Sequence, residues 1–122
     1  MSQRLRRSKT KTQNWILAMP TLYEYFGIVV YFYANEHLPI HVHSDYQDRS
    51  CKAKIIFENG NVKEIIIENV RGRKPLQEPQ LSDFILIVER NAEDIGKKWN
   101  DYFVLRKNIR KVVIKKRYRR TR

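Results

Sequence analysis

The sequence is poor in the residues that staple or loosen a chain: one cysteine, four glycines and four prolines in 122 residues. A lone thiol, Cys51, cannot form an internal disulfide, which excludes a disulfide framework and points to a reducing compartment. It excludes a multi-cysteine zinc site as well. Long hydrophobic runs are also missing. The longest near-continuous apolar stretch, residues 25–34, is too short for a helix that must cross about 30 Å of hydrocarbon. Gly-x-x-x-x-Gly-Lys, Gly-x-Gly-x-x-Gly and Gly-x-Ser-x-Gly are all absent, which disfavours a P-loop, a Rossmann cofactor site and an α/β-hydrolase elbow. Acidic charge is scarce, with 13 Asp+Glu against 25 Lys+Arg and a net charge of +12. Hydrophobic residues make up 42%, enough for a core, which argues against global disorder. The length fits one domain.

The positive charge sits at the two ends. Residues 1–13 hold five basic residues and residues 106–122 hold ten, with no acid in either segment. The remaining ten basic residues lie with all 13 acids in a mildly acidic body. Basic ends attract polyanions, of which nucleic acid is the commonest inside cells. An anionic membrane surface or an acidic protein partner would suit the same charge, and solvated tails are the plainer alternative. The N-terminus superficially suits an organelle transit peptide, but residues 15–19 are too short for a secretory apolar core. Met19 is a second candidate start. The expected organisation is a basic extension over 1–18, a single domain over 19–116 and a basic tail over 117–122.

Residues 14–25 show no decisive periodicity, and Pro20 ends any helix begun at Trp15. Residues 28–33, rich in β-branched and aromatic side chains, predict a well-buried strand. Strands are also predicted over 41–46, 52–58 and 61–68, the last two joined by Asn59-Gly60 in a type I′ hairpin. A two-residue loop places Phe57 opposite Val62, Ile55 opposite Glu64 and Ala53 opposite Ile66. Ile56, Ile65 and Ile67 then share the second face with Lys52, Lys54 and Lys63. Pro79 suits a first helical turn. From there Leu81, Phe84, Ile85, Val88, Ala92, Ile95, Trp99 and Tyr102 follow helical spacing, with Asp83, Glu89, Glu93, Lys97 and Asp101 on the solvent side. Residues 109–116 suggest a last strand. The order predicts an α+β domain: an antiparallel sheet of four to five strands with one amphipathic helix across one face. The other face is then open to solvent, to a protein or nucleic-acid partner, or to a second copy in a homodimer. Cys51, at a predicted strand start, reads as a buried spectator.

All three histidines fall within Glu36-His37-Leu38-Pro39-Ile40-His41-Val42-His43. His41 and His43, two apart on a strand, project from one face. With His37 they could supply three metal ligands. Two imidazoles could instead serve as general base and acid in RNA cleavage through the 2′-hydroxyl, with Glu36 beside them and no cofactor. Hydrogen-bonding structural histidines are the third reading.

At these residues the sequence resembles a bacterial family described as domain of unknown function 4160. The likeness lies in Met19-Pro20-Thr21, Tyr25-Phe26-Gly27-Ile28 and above all residues 35–43. Lys98-Trp99-Asn100-Asp101-Tyr102-Phe103 looks like the helix end of longer members, and the likeness runs over about residues 19–110. Glu36, His37, His41 and His43 occupy the signature positions, whereas Val42 stands where members commonly carry an aromatic residue. Members are often encoded beside a small partner and have been proposed as toxins of toxin–antitoxin pairs. The resemblance therefore implies a cytoplasmic bacterial protein with a cognate antitoxin-like partner and an RNA or DNA target; no membrane partner is expected. Together these readings predict a small nucleic-acid-interacting protein, toxin-like, with RNA favoured over DNA and metal-independent ribonuclease action as its enzymatic form. Its candidate phosphate contacts are Arg71, Arg73, Lys74, Arg110, Lys111, Lys115, Lys116, Arg117, Arg119 and Arg120. The alternative is a non-enzymatic module that binds a partner through its open sheet face.

Overall fold

The computed structural model describes residues 20–33 and 38–119; the basic extension expected over 1–18 lies outside these. Strand alternation builds most of what is described. Along β3 (Ile40–Tyr46), Ile40, Val42 and Ser44 turn inward and are buried, while His41, His43 and Asp45 lie between them on the other face. In β4 (Arg49–Glu58), Cys51, Ala53 and Ile55 continue the inner face, and Lys52 and Lys54 the outer. Strand β2 (Ile28–Tyr31) pairs with β3, and β5 (Asn61–Asn69) with β4, both antiparallel.

One strand enlarges the predicted sheet, and the last one differs from its predicted form. Residues 21–25 form β1 (Thr21–Tyr25), which turns back into β2 through Phe26 and Gly27. Both turn residues have positive φ, 44° and 90°, as a type I′ turn requires. A Cβ on Gly27 would meet the Tyr46 ring at 3.0 Å, so backbone conformation and space both call for glycine. The last strand, β6 (Val112–Ile114), is shorter than predicted and runs parallel to β1. The result is a six-stranded mixed sheet in the order β5-β4-β3-β2-β1-β6, rather than an antiparallel sheet of four to five strands. The α+β class holds.

The hairpin register departs from the predicted one. Asn59 and Gly60 adopt positive φ and Phe57 does face Val62. One residue on, a bulge at Lys63 sets Ile56 against Glu64, Ile55 against Ile65 and Ala53 against Ile67. A bulge adds one residue to one strand and so exchanges the faces of everything beyond it. Here it turns Ile65 and Ile67 onto the core and Glu64 outward, the reverse of the regular register. Burial of two isoleucines, worth roughly 1.5–3 kcal/mol each when complete, outweighs one irregular rung.

Helix α1 (Gln80–Trp99) lies across the inner face of the sheet, with Phe84, Ile87, Val88, Ala92 and Ile95 buried. Ile87, rather than the predicted Ile85, belongs to the deep stripe. Glu78 Oε1 accepts from the Ser82 amide (3.2 Å) and hydroxyl (2.6 Å), which satisfies part of the first turn. The helix ends in a π-turn over Asn100–Val104 that contains Tyr102. Asp83 is not on the solvent side: it is 5% exposed and forms an ion pair with Arg117 at 3.7 Å.

That pairing is part of a longer attachment. After β6, Tyr118 packs on the Tyr25 ring at 5.2 Å, its amide donates to the Tyr25 hydroxyl, and its own hydroxyl meets Asn91 Nδ2 at 2.9 Å. Arg90 lies over the Tyr118 ring and donates to the Arg119 carbonyl. Leu76, from the loop before α1, enters the core and donates its amide to the buried Cys51 sulfur. Among the described residues no helix is long and apolar enough to cross a membrane.

Candidate functional site

The helix covers one face of the sheet; the chemistry gathers on the other. Antiparallel pairing sets Tyr31 beside His43, His43 beside Lys52, and Lys52 beside Glu68, one row across four strands. Tyr33, two residues beyond Tyr31, falls on the same side. Its ring stacks on the His43 imidazole at 5.0 Å with 29° between the planes, while Tyr31 touches the same imidazole at 5.7 Å. The Tyr31 hydroxyl donates to Asp45 Oδ1 (3.0 Å), which also accepts from Ser50 Oγ (2.7 Å). Asp45 therefore anchors one edge of the row.

Tyr31, Tyr33, His43, Ser50, Lys52 and Val70 line a basin of about 470 Å³, and Arg71 and Arg73 close its rim. The arginines flank Gly72 (φ 79°) in a tight turn held by the Arg73 amide on the Val70 carbonyl, 3.0 Å. Glycine supplies the positive φ that lets two cations sit so close on one loop. Neither arginine forms an ion pair among the described residues, and both are exposed. Lys52 and Lys54, by contrast, share Glu68 at 4.0 and 3.3 Å.

Electrostatics distinguish the groups of the row. Burial, then the Lys52 charge, then His41, lowers the His43 pKa to about 4, so the imidazole is neutral at neutral pH. Burial, with Asp45 behind it, raises the Tyr31 hydroxyl above its ordinary value, while the Arg73 charge pulls the other way. On the covered face, burial and the Asp94 carboxylate it bonds raise Tyr23 in the same sense.

The predicted site residues separate accordingly. His43 meets Arg71 and Arg73 in the basin. His41 shares their face but stands one step along it, opposite Lys54. Glu36, His37 and Arg120 lie outside the described residues. Lys74 pairs with Asp48 at 3.9 Å beyond the basin. The C-terminal cations lie at the β1–β6 edge: Lys111 binds Glu24 at 2.8 Å, and Arg117 reaches Asp83 and covers the Phe26 ring at 4.2 Å. Arg110, Lys115, Lys116 and Arg119 are exposed there. No group of three or more His, Cys, Asp or Glu among the described residues is placed to hold a metal ion.

Sequence reasoning missed Tyr31, Tyr33, Asp45, Ser50 and Lys52. The signal was present: Tyr31 and Tyr33 carry the same two-residue spacing as His41 and His43, and adjacent strands bring such pairs onto one face. The strand read as well buried is so only at alternate positions, since Tyr33 is 53% exposed.

Residues 27–100 match the family described as Domain of unknown function (DUF4160). The chain belongs to this family; the matched segment runs from β2 through α1 and leaves β1 and β6 outside it. No curated protein and no solved structure matches the chain.

Proposed function

We propose that the protein binds nucleic acid, RNA before DNA, on the open face of its sheet. The observation that carries this reading is the basin itself: two arginines with no ion pair among the described residues rim a row of three aromatic rings. Cations neutralise phosphates while aromatic faces accept bases, and an open antiparallel sheet is a common place for the two to meet. The exposed cations at the β6 edge extend the positive surface for a longer strand.

At His43 the electrostatics favour binding over acid–base chemistry by that ring. Acid–base cleavage near neutral pH needs an imidazole that titrates there, whereas His43 is lowered to about 4. A neutral, stacked imidazole suits a recognition surface. A toxin-like member of a bacterial pair and an RNA-binding regulator would both use such a face. Co-purification with the product of the neighbouring reading frame separates those two roles. A partner-binding module is the second reading, favoured by the half-buried Ile56 and Ile66 on the same open face.

The test is fluorescence anisotropy with labelled RNA over a range of salt. Wild type should bind with log Kd rising linearly with log salt. Replacing both Arg71 and Arg73 with alanine should flatten that slope by about 1.4, two contacts at roughly 0.7 each for a single strand. Salt-independent binding, or no binding at micromolar protein, removes the proposal.

A further inference from the structure

We infer that the outer face of the Tyr33 ring is a stacking platform for one splayed base, so that the site selects single-stranded over duplex nucleic acid. This rests on the nucleic-acid reading above and narrows it. Exposed tyrosines usually extend into solvent, with no fixed plane to offer a ligand. Tyr33 is 53% exposed, yet one side of its ring is laid on the His43 imidazole. His43 is in turn set by its strand position opposite Tyr31 and Lys52, and Tyr31 is tied to Asp45. The series from Asp45 through Tyr31 and His43 to Tyr33 holds the outermost ring in a defined plane with its other side turned away from the imidazole. Little ordering entropy remains to be lost when a third ring is added.

The arginines bring two cations to the same basin, for the phosphates of a strand whose base lies on that ring. Arg71 and Arg73 rim the same basin as Tyr33, on a turn, with no partner carboxylate among the described residues. A basin of about 470 Å³ lies within the usual size range of small-ligand sites, roughly 300–1,000 Å³. A duplex cannot use this arrangement fully. Its base faces are already stacked on one another and it presents only edges and phosphates. Duplex would engage the arginines and leave Tyr33 idle. A single strand engages both, and stacking on one aromatic ring is worth roughly tenfold in affinity.

The experiment uses the full chain and a labelled RNA of about 12 nucleotides, alone or annealed to its complement, at a fixed salt of about 100 mM. Wild type should bind the single strand roughly tenfold more tightly than the duplex. Tyr33→Leu should lose that advantage while duplex affinity stays put, and Tyr33→Phe, which keeps the ring, should retain it. Circular dichroism checks that both variants fold; the exposed position makes this the expected result. The platform is overturned if duplex binds as tightly as single strand. It also falls if Tyr33→Leu weakens both forms equally or neither, or if Tyr33→Phe behaves like Tyr33→Leu. Binding that persists without strand preference sinks this inference alone, whereas failure of both forms to bind removes the nucleic-acid reading with it.

Discussion

The two faces of the sheet are built from the same strands and the same alternation, yet they obey different rules. Beneath α1 the side chains are apolar and interlocked, and the polar atoms that enter are answered: Ser44 Oγ by the Cys51 carbonyl, Tyr23 by Asp94, Asp83 by Arg117. The open face keeps a neutral imidazole, two tyrosines and two exposed arginines that form no ion pair among the described residues. A face built for stability satisfies its polar groups internally, whereas a face that receives a ligand leaves some of that capacity unspent.

The comparison breaks if perturbing one face disturbs the other. The largest effect should come from Ile87→Ala on the covered face, which removes a fully buried side chain against the sheet. It should lower unfolding free energy by about 3 kcal/mol in urea titration, with RNA affinity of the folded fraction unchanged. Next is Gly27→Ala, which imposes a side chain at φ 90° and a Cβ 3.0 Å from Tyr46. A loss of about 1–2 kcal/mol is expected by the same measurement.

The smallest effect concerns the open face and its pH dependence. The folded His43 pKa, about 4, lies below the unfolded value near 6.5. Above the unfolded value the imidazole is neutral in both states and costs nothing. As pH falls through 6.5 the unfolded chain gains the proton first, so stability drops, and the loss levels off below about pH 4. His43→Gln should remove this contribution, making the variant's stability fall less than wild type's between pH 6.5 and 4. After discounting for solvent screening, the difference should be on the order of 1 kcal/mol. Direct NMR titration of the ring checks the cause: a His43 midpoint near 6.5 in the folded protein would contradict it.

Local signals made much of this legible in the sequence. The Asn59-Gly60 turn, the helical stripe that carries Phe84, Val88 and Ile95, and the common face of His41 and His43 follow from spacing alone. Strand β1 did not, because its hairpin turns on Phe26, an aromatic residue held at a φ that aromatics seldom adopt. The hairpin register was hidden too, since a period-two pattern cannot announce the bulge at Lys63. Asp83 read as solvent-facing because the cation that accompanies it inward, Arg117, lies 34 positions away in sequence. Of the candidate site, the sequence offered His43, Arg71 and Arg73 as separate items of chemistry. That they share one basin depends on the end of β5 returning beside the start of β4, a tertiary fact.

The bulge in β5 has an effect reaching past this molecule. Val62-Lys63-Glu64-Ile65-Ile66-Ile67 borders the sheet, and an isoleucine-rich margin of that kind is a template on which other chains can assemble into fibrils. The extra residue at Lys63 interrupts the regular rungs such stacking requires, and places two opposite charges just before the isoleucines. The irregularity that seats Ile65 and Ile67 in the core thus also works against self-association at high concentration.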